Sequence, residues 1–316
     1  MEAVHQVPAL GSMLGLEGLG EHPPAYYERM VGTWYGYHAI YAHSLVTLVP
    51  LLLWWVPSRG AAPAWLWTLP FAIYVAHSTV FWGWIVDDAA ISFAYSRTCA
   101  EGFGLTAQPG LPPVEGFSNP LWVLLLIPFF KLGLFDPYLT PKLLQWGLVG
   151  LVYYAVFRAA RKVRPDQLNT VSCALLFLSL TTPFVIWTSS GLENALYVCL
   201  HALLFACVLS HIMGPDHPAS RAGMAGLLSG LLVLTRPEGL VLGASAALLL
   251  AGYLPPWRNL RRAAVFVSMA VLSSGSYLLF RWFYYHDWVP NTFYAKVPVD
   301  RSTAEHVQQV IQQEGR

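Results

Sequence analysis

The chain has 316 residues, of which 56% are hydrophobic and only 11% are charged, and its formal net charge is +1. Soluble domains carry about 25% charged residues, so the composition excludes an ordinary soluble enzyme and a disordered protein. It also excludes a typical nucleic-acid-binding protein, which needs a strongly basic surface. The sequence therefore predicts an all-α integral membrane protein that crosses the bilayer several times.

Apolar windows without charged residues predict the helices in chain order. A polar segment, 1–38, precedes the window 39–57, which is predicted to be an extra span or an interfacial helix. The seven core spans are predicted at 61–86, 138–157, 167–192, 194–215, 222–235, 239–257 and 263–280. The spacing of apolar residues predicts a further helix over 89–100. The window 120–130 is too short to cross a bilayer and is predicted to be re-entrant or interfacial, and a polar tail, 297–316, ends the chain.

Two basic clusters predict the orientation, because Lys and Arg in short loops stay on the cytoplasmic side of a membrane. One cluster consists of Arg158, Arg161, Lys162 and Arg164, and the other consists of Arg258, Arg261 and Arg262. With both clusters inside, the loop 87–137 and the tips of the later hairpins face outward.

Polar residues gather at the predicted outer ends of the spans in five groups, and the inner ends carry no comparable collection. The groups are Asp87-Asp88, Glu115 to Asn119, Ser189 to Asn194, Arg236 to Glu238, and the stretch 283–296 after the last span. Ionisable residues at membrane depth are costly and tend to mark function. The five groups are therefore the candidate functional site.

The adjacent carboxylates of Asp87 and Asp88 have two interpretations. Repulsion between them favours uptake of a proton, which suits a general base, and the pair also suits a cation. The alternative is a solvated end to the span, with no chemical role. The long irregular loop that follows favours the first interpretation, because such loops are often functional.

Cations near the predicted outer edge are candidates for binding the phosphate of a lipid headgroup. They are Arg97, Arg236, Arg281 and Lys296. For Arg281 and Lys296, a side chain that simply reaches the membrane surface is an equal alternative. Glu193 and Asn194 also have a structural alternative, because acidic residues suit the start of a helix. The sequence contains no pattern typical of an ATP, dinucleotide or zinc site.

Several of these motifs resemble those of one enzyme group. The motifs run from Asp87 to Arg97, Glu101 to Leu105, Pro113 to Trp122, Ser190 to Asn194, Arg236 to Gly239 and Trp288 to Lys296. Together they resemble GT-C fold glycosyltransferases that use polyprenyl-phosphate sugars, above all the terminal arabinofuranosyltransferase-like group. The resemblance implies a module of about seven transmembrane helices over 61–296. Its long first outer loop, 87–137, carries juxtamembrane helices.

The resemblance also implies an activity. It is an inverting transfer of a sugar from a polyprenyl-phosphate donor to a glycan, lipid or protein acceptor, at the outer face of a bacterial inner or plasma membrane. Asp87 or Asp88 corresponds to the catalytic base. The implied substrate-binding residues are Arg97, Glu115, Asn119, Glu193, Asn194, Arg236, Glu238, Asn291, Tyr294 and Lys296. A lipid phosphate is a good leaving group, so no cofactor is required, although a divalent cation is compatible with the transfer; no nucleic-acid partner is expected.

Two other functions are compatible with the sequence. One is a transporter or flippase of lipid-linked sugars, which would need polar residues near mid-membrane that lead to both faces. The other is an inactive, truncated scaffold, because the chain stops at Arg316, soon after its last motif. The gathering of polar groups at one face favours the enzyme.

Overall fold

The structure is a computed structural model that describes residues 63–213, 219–252 and 256–296. These residues form eleven α-helices and one short 3₁₀ helix, with no strand among them. The predicted segment 1–38, the predicted helix 39–57 and the tail 297–316 lie outside the described residues.

Apart from the long segment 101–119 between α2 and α3, short connections join the helices. The helices are α1 (Trp65–Thr79), α2 (Ala89–Ala100), α3 (Pro120–Lys131), α4 (Leu139–Val163), α5 (Leu168–Leu180), α6 (Thr182–Thr188), α7 (Asn194–Ile212), α8 (Ala219–Thr235), α9 (Gly239–Gly252), α10 (Pro256–Tyr285) and α11 (Asn291–Lys296). The 3₁₀ helix, Pro165–Gln167, joins α4 to α5. The helix predicted over 89–100 is confirmed as α2, and the short helix predicted over 120–130 is confirmed as α3.

Three helices are long and apolar enough to cross a membrane: Leu139–Val163, Asn194–Ile212 and Leu260–Tyr285. A fourth candidate is the pair formed by 165–180 and α6, which is bent by 69° at the break between them. The described residues thus hold three to four candidate spans, whereas the sequence predicted seven. Helices α1, α8 and α9 fall short because they have 15, 17 and 14 residues, and a span needs about 20.

Helix α10 presents an apolar surface typical of contact with lipid. Leu260, Leu272 and Phe283 on it are 76%, 64% and 74% exposed. Large exposed apolar surfaces are rare on soluble monomers. Together with the long apolar helices, this surface indicates a membrane protein that is all-helical over the described residues.

The core consists of two main clusters of apolar side chains, and α7 contributes to both. One cluster joins α2, α3, α7 and α8, with Trp122 and Leu232 fully buried. The other cluster lies around Tyr74 of α1 and Tyr153 of α4, and it also includes residues of α5, α6 and α7. Helix α7 therefore connects the helices that carry the candidate site to the rest of the bundle.

Helices α8 and α10 approach each other closely through glycines. A β-carbon at Gly226 would overlap the backbone carbonyl of Phe266, and one at Gly230 would collide with Ser273. Small residues permit such close packing of helix backbones in membranes. The two helices are therefore held together by shape rather than by polar side chains at this crossing.

We expect Gly226→Ala to destabilise the folded protein by about 1–3 kcal/mol, because α10 must shift to make room for the methyl group. The measurement is the midpoint of thermal unfolding in detergent. Gly147→Ala is the matched control: Gly147 is also helical, but a β-carbon there would meet no atom within 4 Å. Equal losses in the two variants would contradict the close packing of α8 and α10.

Candidate functional site

Asp87 and Asp88 stand directly before α2, and both side chains are exposed. The Asp87 carboxylate accepts the backbone N–H of Asp88 at 3.0 Å. Among the described residues, no basic side chain forms an ion pair with either carboxylate. Two accessible carboxylates without a cationic partner are available to act on a bound ligand.

The segment that carries the aspartates is fixed against the hairpin between α6 and α7. The N–H of Val86 donates to the carbonyl of Ser190 at 3.0 Å. Gly191 has a φ of +89°, and a β-carbon there would lie 3.1 Å from the Cβ atom of Ala89. The Trp122 indole donates to the Gly191 carbonyl at 3.0 Å. The hairpin thus packs between α2 and α3, next to the aspartates.

A buried lysine that the sequence analysis did not single out holds the same segment. Lys142 lies in the first turn of α4 and is 1% exposed. Its ammonium group donates to the backbone carbonyls of Phe81, Trp84 and Ser189 at 2.9, 2.9 and 3.1 Å. An ammonium group has three donors, so every one of them is used. Lys142 therefore ties the approach to Asp87 to the hairpin before α7.

The spacing of Lys142 from Gln145 in the sequence is a signal that Lys142 faces inward. Residues three apart lie on one face of a helix, and Gln145 also turns toward the hairpin, donating to the carbonyl of Leu192 at 2.9 Å. Two polar residues on one face of an apolar helix favour an inward orientation. A single lysine at the end of a span gives no such indication, because it ordinarily reaches the membrane surface.

A buried carboxylate, Glu193, organises the first polar network. Its side chain is 7% exposed and accepts hydrogen bonds from Asn119 Nδ2 at 2.7 Å and from Arg236 Nη1 at 3.0 Å. Asn119 also bonds the hydroxyl of Ser92. The network thus joins α2, the start of α3, the start of α7 and the connection between α8 and α9.

Arg236 has further acceptors within reach. Its side chain is 38% exposed, and it lies 3.5 Å from both Asn194 Oδ1 and Glu238 Oε2. Burial alone lowers the pKa of Arg236, but the Glu238 carboxylate and the charge of Glu193 raise it above its ordinary value. The guanidinium group therefore stays charged, and its contacts at 3.5 Å are weak enough to exchange for a ligand.

The second polar network is centred on Glu115, which is 3% exposed. Arg281 donates to its two carboxylate oxygens from Nε at 2.5 Å and from Nη2 at 3.1 Å, and the Tyr277 hydroxyl donates at 2.8 Å. Arg281 also donates to the carbonyl of Trp288, and the N–H of Asn291 donates to the Glu115 carbonyl. Such two-pronged pairs are strong and directional. Arg281, a predicted phosphate ligand, thus has a buried carboxylate partner.

We expect Glu115→Gln to destabilise the protein by about 2 kcal/mol, because a neutral amide replaces the carboxylate opposite Arg281. Thermal unfolding in detergent measures the change. Glu101→Gln is the control. Glu101 forms an ion pair with Arg97 in which the two side chains are 40% and 44% exposed, respectively, and such a surface pair contributes at most about 1 kcal/mol. The same small shift in both variants would show that the buried pair contributes no more than a surface pair.

Tyr95 connects α2 to the loop that leads to Glu115. Its hydroxyl donates to the Val114 carbonyl at 2.6 Å and accepts the N–H of Gly116 at 3.0 Å. Burial raises the pKa of Tyr95. The hydrogen bond from Gly116 lowers this pKa, while the charge of Glu115 raises it further, and the net change is upward. The hydroxyl therefore remains protonated and keeps both bonds.

The described side chains of the remaining predicted site residues contribute to neither network, although the backbone N–H of Asn291 bonds the Glu115 carbonyl. Arg97 is on the exposed face of α2, and the side chain of Asn291 is exposed. The Tyr294 hydroxyl donates to Asp287 at 3.0 Å, and this bond raises the pKa of Tyr294. The side chain of Lys296 lies outside the described residues.

A groove of about 410 Å³ runs along α2. Its wall includes Ala90, Ile91 and Ala94, and the pair of Arg97 and Glu101 lies at its far end. Asp87 precedes Ala90 and Ile91 by one helical turn, on the same side of the chain. The groove thus combines an apolar wall along α2 with the paired cation of Arg97, and the two aspartates precede it in the chain without lining it.

No family model matches the chain, and neither a curated protein nor a solved structure matches it. The resemblance to GT-C glycosyltransferases therefore depends on the sequence motifs alone. The structure links all five predicted polar groups at one end of the helices, through the contacts of Val86, Lys142, Glu193 and Glu115 described above. Residues dispersed along most of the described chain thus form one assembly.

Proposed function

We propose that the protein is a membrane glycosyltransferase of the GT-C type, acting on a polyprenyl-phosphate sugar at the outer face of a bacterial inner or plasma membrane. The acceptor is a glycan, lipid or protein of the cell envelope. The observation that carries the proposal is the pair of exposed carboxylates, Asp87 and Asp88, which have no ion-pair partner among the described residues. The groove lies along α2, the helix that these two residues directly precede.

In the proposed reaction, Asp87 or Asp88 takes the proton from the acceptor hydroxyl, and the oxygen attacks the anomeric carbon of the sugar. The bond from that carbon to the phosphate oxygen breaks, and polyprenyl phosphate leaves with the electron pair. Attack opposite the leaving group inverts the anomeric centre. Arg236, which contacts Glu193 in the hairpin beside the aspartates, is the candidate for stabilising the charge of the departing phosphate.

The groove supports a substrate with an apolar chain, since Ala90, Ile91 and Ala94 suit an isoprenoid chain. Arg97, in the last turn of α2, is proposed to bind an anionic group of the acceptor. The transfer needs no cofactor, and a divalent cation bound by Asp87 and Asp88 is compatible with it. Glu115 and Glu193 are proposed to hold the surrounding loops, since both are buried among protein partners.

The proposal includes a GT-C-like module built on the three to four candidate spans, with α8 as one more. With 17 residues, α8 lies at the lower limit of a span. The end of the bundle that carries Asp87 is proposed to face outward. The basic residues Arg158 and Arg161 support this orientation, because they lie near the opposite end of α4.

The proposal is tested with the full chain reconstituted in vesicles that contain a radiolabelled polyprenyl-phosphate pentose or hexose, together with envelope glycan as acceptor. Transfer of label to the glycan, with release of polyprenyl phosphate, is the expected result. If the chain binds the donor but transfers none of a panel of sugars, the proposed glycosyltransferase activity is wrong. Movement of the labelled lipid between leaflets, again without transfer, would instead identify a transporter.

A further inference from the structure

A second groove, of about 290 Å³, lies between α4 and α7, toward the end of α4 that is remote from Lys142. Its wall is formed largely by small and apolar side chains, including Leu151, Ala155, Leu203 and Ala206. Arg158 and Lys162 also line it. The groove is therefore apolar along its length and basic at one end.

The basic end has the charge to receive an anion. Arg158 and Lys162 are four residues apart, so they lie on the same face of α4. Both are exposed, and no carboxylate in the described part of the chain forms an ion pair with them. The guanidinium carbon of Arg158 lies 5.7 Å from the centre of the Tyr154 ring. Since Tyr154 also lines the groove, this contact holds the Arg158 side chain against the groove.

A third cation borders the same end. Arg221 at the start of α8 donates from Nη1 to the carbonyl of Ser210 at 3.1 Å, and Ser210 lines the groove. Two cations of α4 therefore line this end of the groove, and a third, Arg221, contacts its wall. An anionic group at this position would receive charge-assisted hydrogen bonds.

The length of the groove matches one leaflet of a bilayer. From Leu151 to Lys162 the chain advances eleven residues, or roughly 16 Å at the rise of an α-helix. The hydrocarbon core of a membrane is about 30 Å thick. An acyl chain lying along Leu151 and Ala155 would thus reach from the headgroup level to about the midplane.

We propose that this groove is a binding site for an anionic phospholipid of the leaflet at this end of the helices. The phosphate and the anionic headgroup bind Arg158 and Lys162, and one acyl chain lies between α4 and α7. Basic pockets between transmembrane helices on the cytoplasmic side are suited to such headgroups. The site is independent of the proposed sugar transfer, because its residues lie away from Asp87 and both polar networks.

The test compares two double variants of the full chain, both of which remove two positive charges from the same end of α4. Arg158→Gln with Lys162→Gln removes the cations that line the groove. Arg161→Gln with Arg164→Gln is the matched control, because neither residue lines it. Native mass spectrometry then counts the lipids retained from mixed micelles of phosphatidylglycerol and phosphatidylcholine.

The expected result is that the wild-type chain and the control retain phosphatidylglycerol preferentially, whereas the groove variant loses about ten- to thirtyfold of that preference. Equal losses in the two double variants would overturn the site in favour of general attraction to basic residues. No preference in the wild-type chain would overturn it as well.

A third variant, Ala206→Phe, fills the groove without changing the charge. It should also lose the bound phosphatidylglycerol, and its thermal midpoint shows whether it folds. A folded Ala206→Phe variant that retains the lipid would place the binding outside the groove and overturn the proposal. If it does not fold, Ala206→Leu fills the groove less, with a smaller loss expected, and unchanged retention in that folded variant would again contradict the site.

Discussion

Replacement of both Asp87 and Asp88 by Asn should reduce sugar transfer by about 10²–10⁴-fold, the usual contribution of a general base. Asparagine keeps the shape of the side chain but does not take up a proton at neutral pH. Because both carboxylates are exposed, the change should leave the fold intact. The single variants show which aspartate is the base, because replacing that residue alone should cause most of the loss of transfer rate.

The measurement is the initial rate of transfer in reconstituted vesicles, together with the affinity for the lipid-linked donor. The matched control is Asp166→Asn, because Asp166 is also exposed but lies in the 3₁₀ helix after α4, away from the candidate site. Donor affinity should change much less than the rate. Full activity in both single variants and in the double variant would show that the base is another group.

The second large effect is expected from Lys142→Met, which should lower the free energy of unfolding by about 4 kcal/mol. The substitution leaves the carbonyls of Phe81, Trp84 and Ser189 without the ammonium group that they share. It should also reduce transfer, because Trp84 lies three residues before Asp87 and its position depends on this contact.

Thermal unfolding and transfer rates are measured on the same preparations. Lys131→Met is the control, since Lys131 is exposed at the end of α3 and should change stability by less than about 0.5 kcal/mol. Lys142→Arg keeps a positive charge and should retain part of both properties. A Lys142→Met protein as stable and as active as the wild type would refute the role of Lys142 in holding this segment.

Helices with a clear local signal could be predicted from the sequence. Helix α2 has the bounds expected from its apolar spacing, and α3 begins at Pro120, where a proline suits the first turn of a helix. The long apolar stretches that form α4 and α7 were also predicted. In each case the signal lies within the element itself, so knowledge of the remaining chain is not required.

Span lengths were harder to predict, because an apolar window does not reveal where a helix stops. The window 61–86 contains α1, which ends at Thr79, followed by turns. The window 167–192 is divided between α5 and α6, with Pro183 in the first turn of α6. A proline provides no N–H for the preceding turn, so the helix breaks there although the composition remains apolar.

The gathering of the polar groups at one end agrees with the order of the long helices, since successive spans run in opposite directions, with α5 and α6 counted as one bent span. The partners within each network do not follow from the sequence. Glu115 pairs with Arg281, 166 residues away, and this choice depends on how α10 packs against the loop after α2. The burial of Lys142 depends likewise on carbonyls of two other segments.

The separation of Glu115 and Arg281 also has a consequence for biosynthesis. At roughly 5–20 residues per second, the ribosome makes Arg281 roughly 8–33 s after Glu115, given their distance of 166 residues. Throughout that interval the carboxylate must remain hydrated or be shielded by the insertion machinery. The loop after α2 therefore acquires its final shape only after α10 has been made and has packed against it.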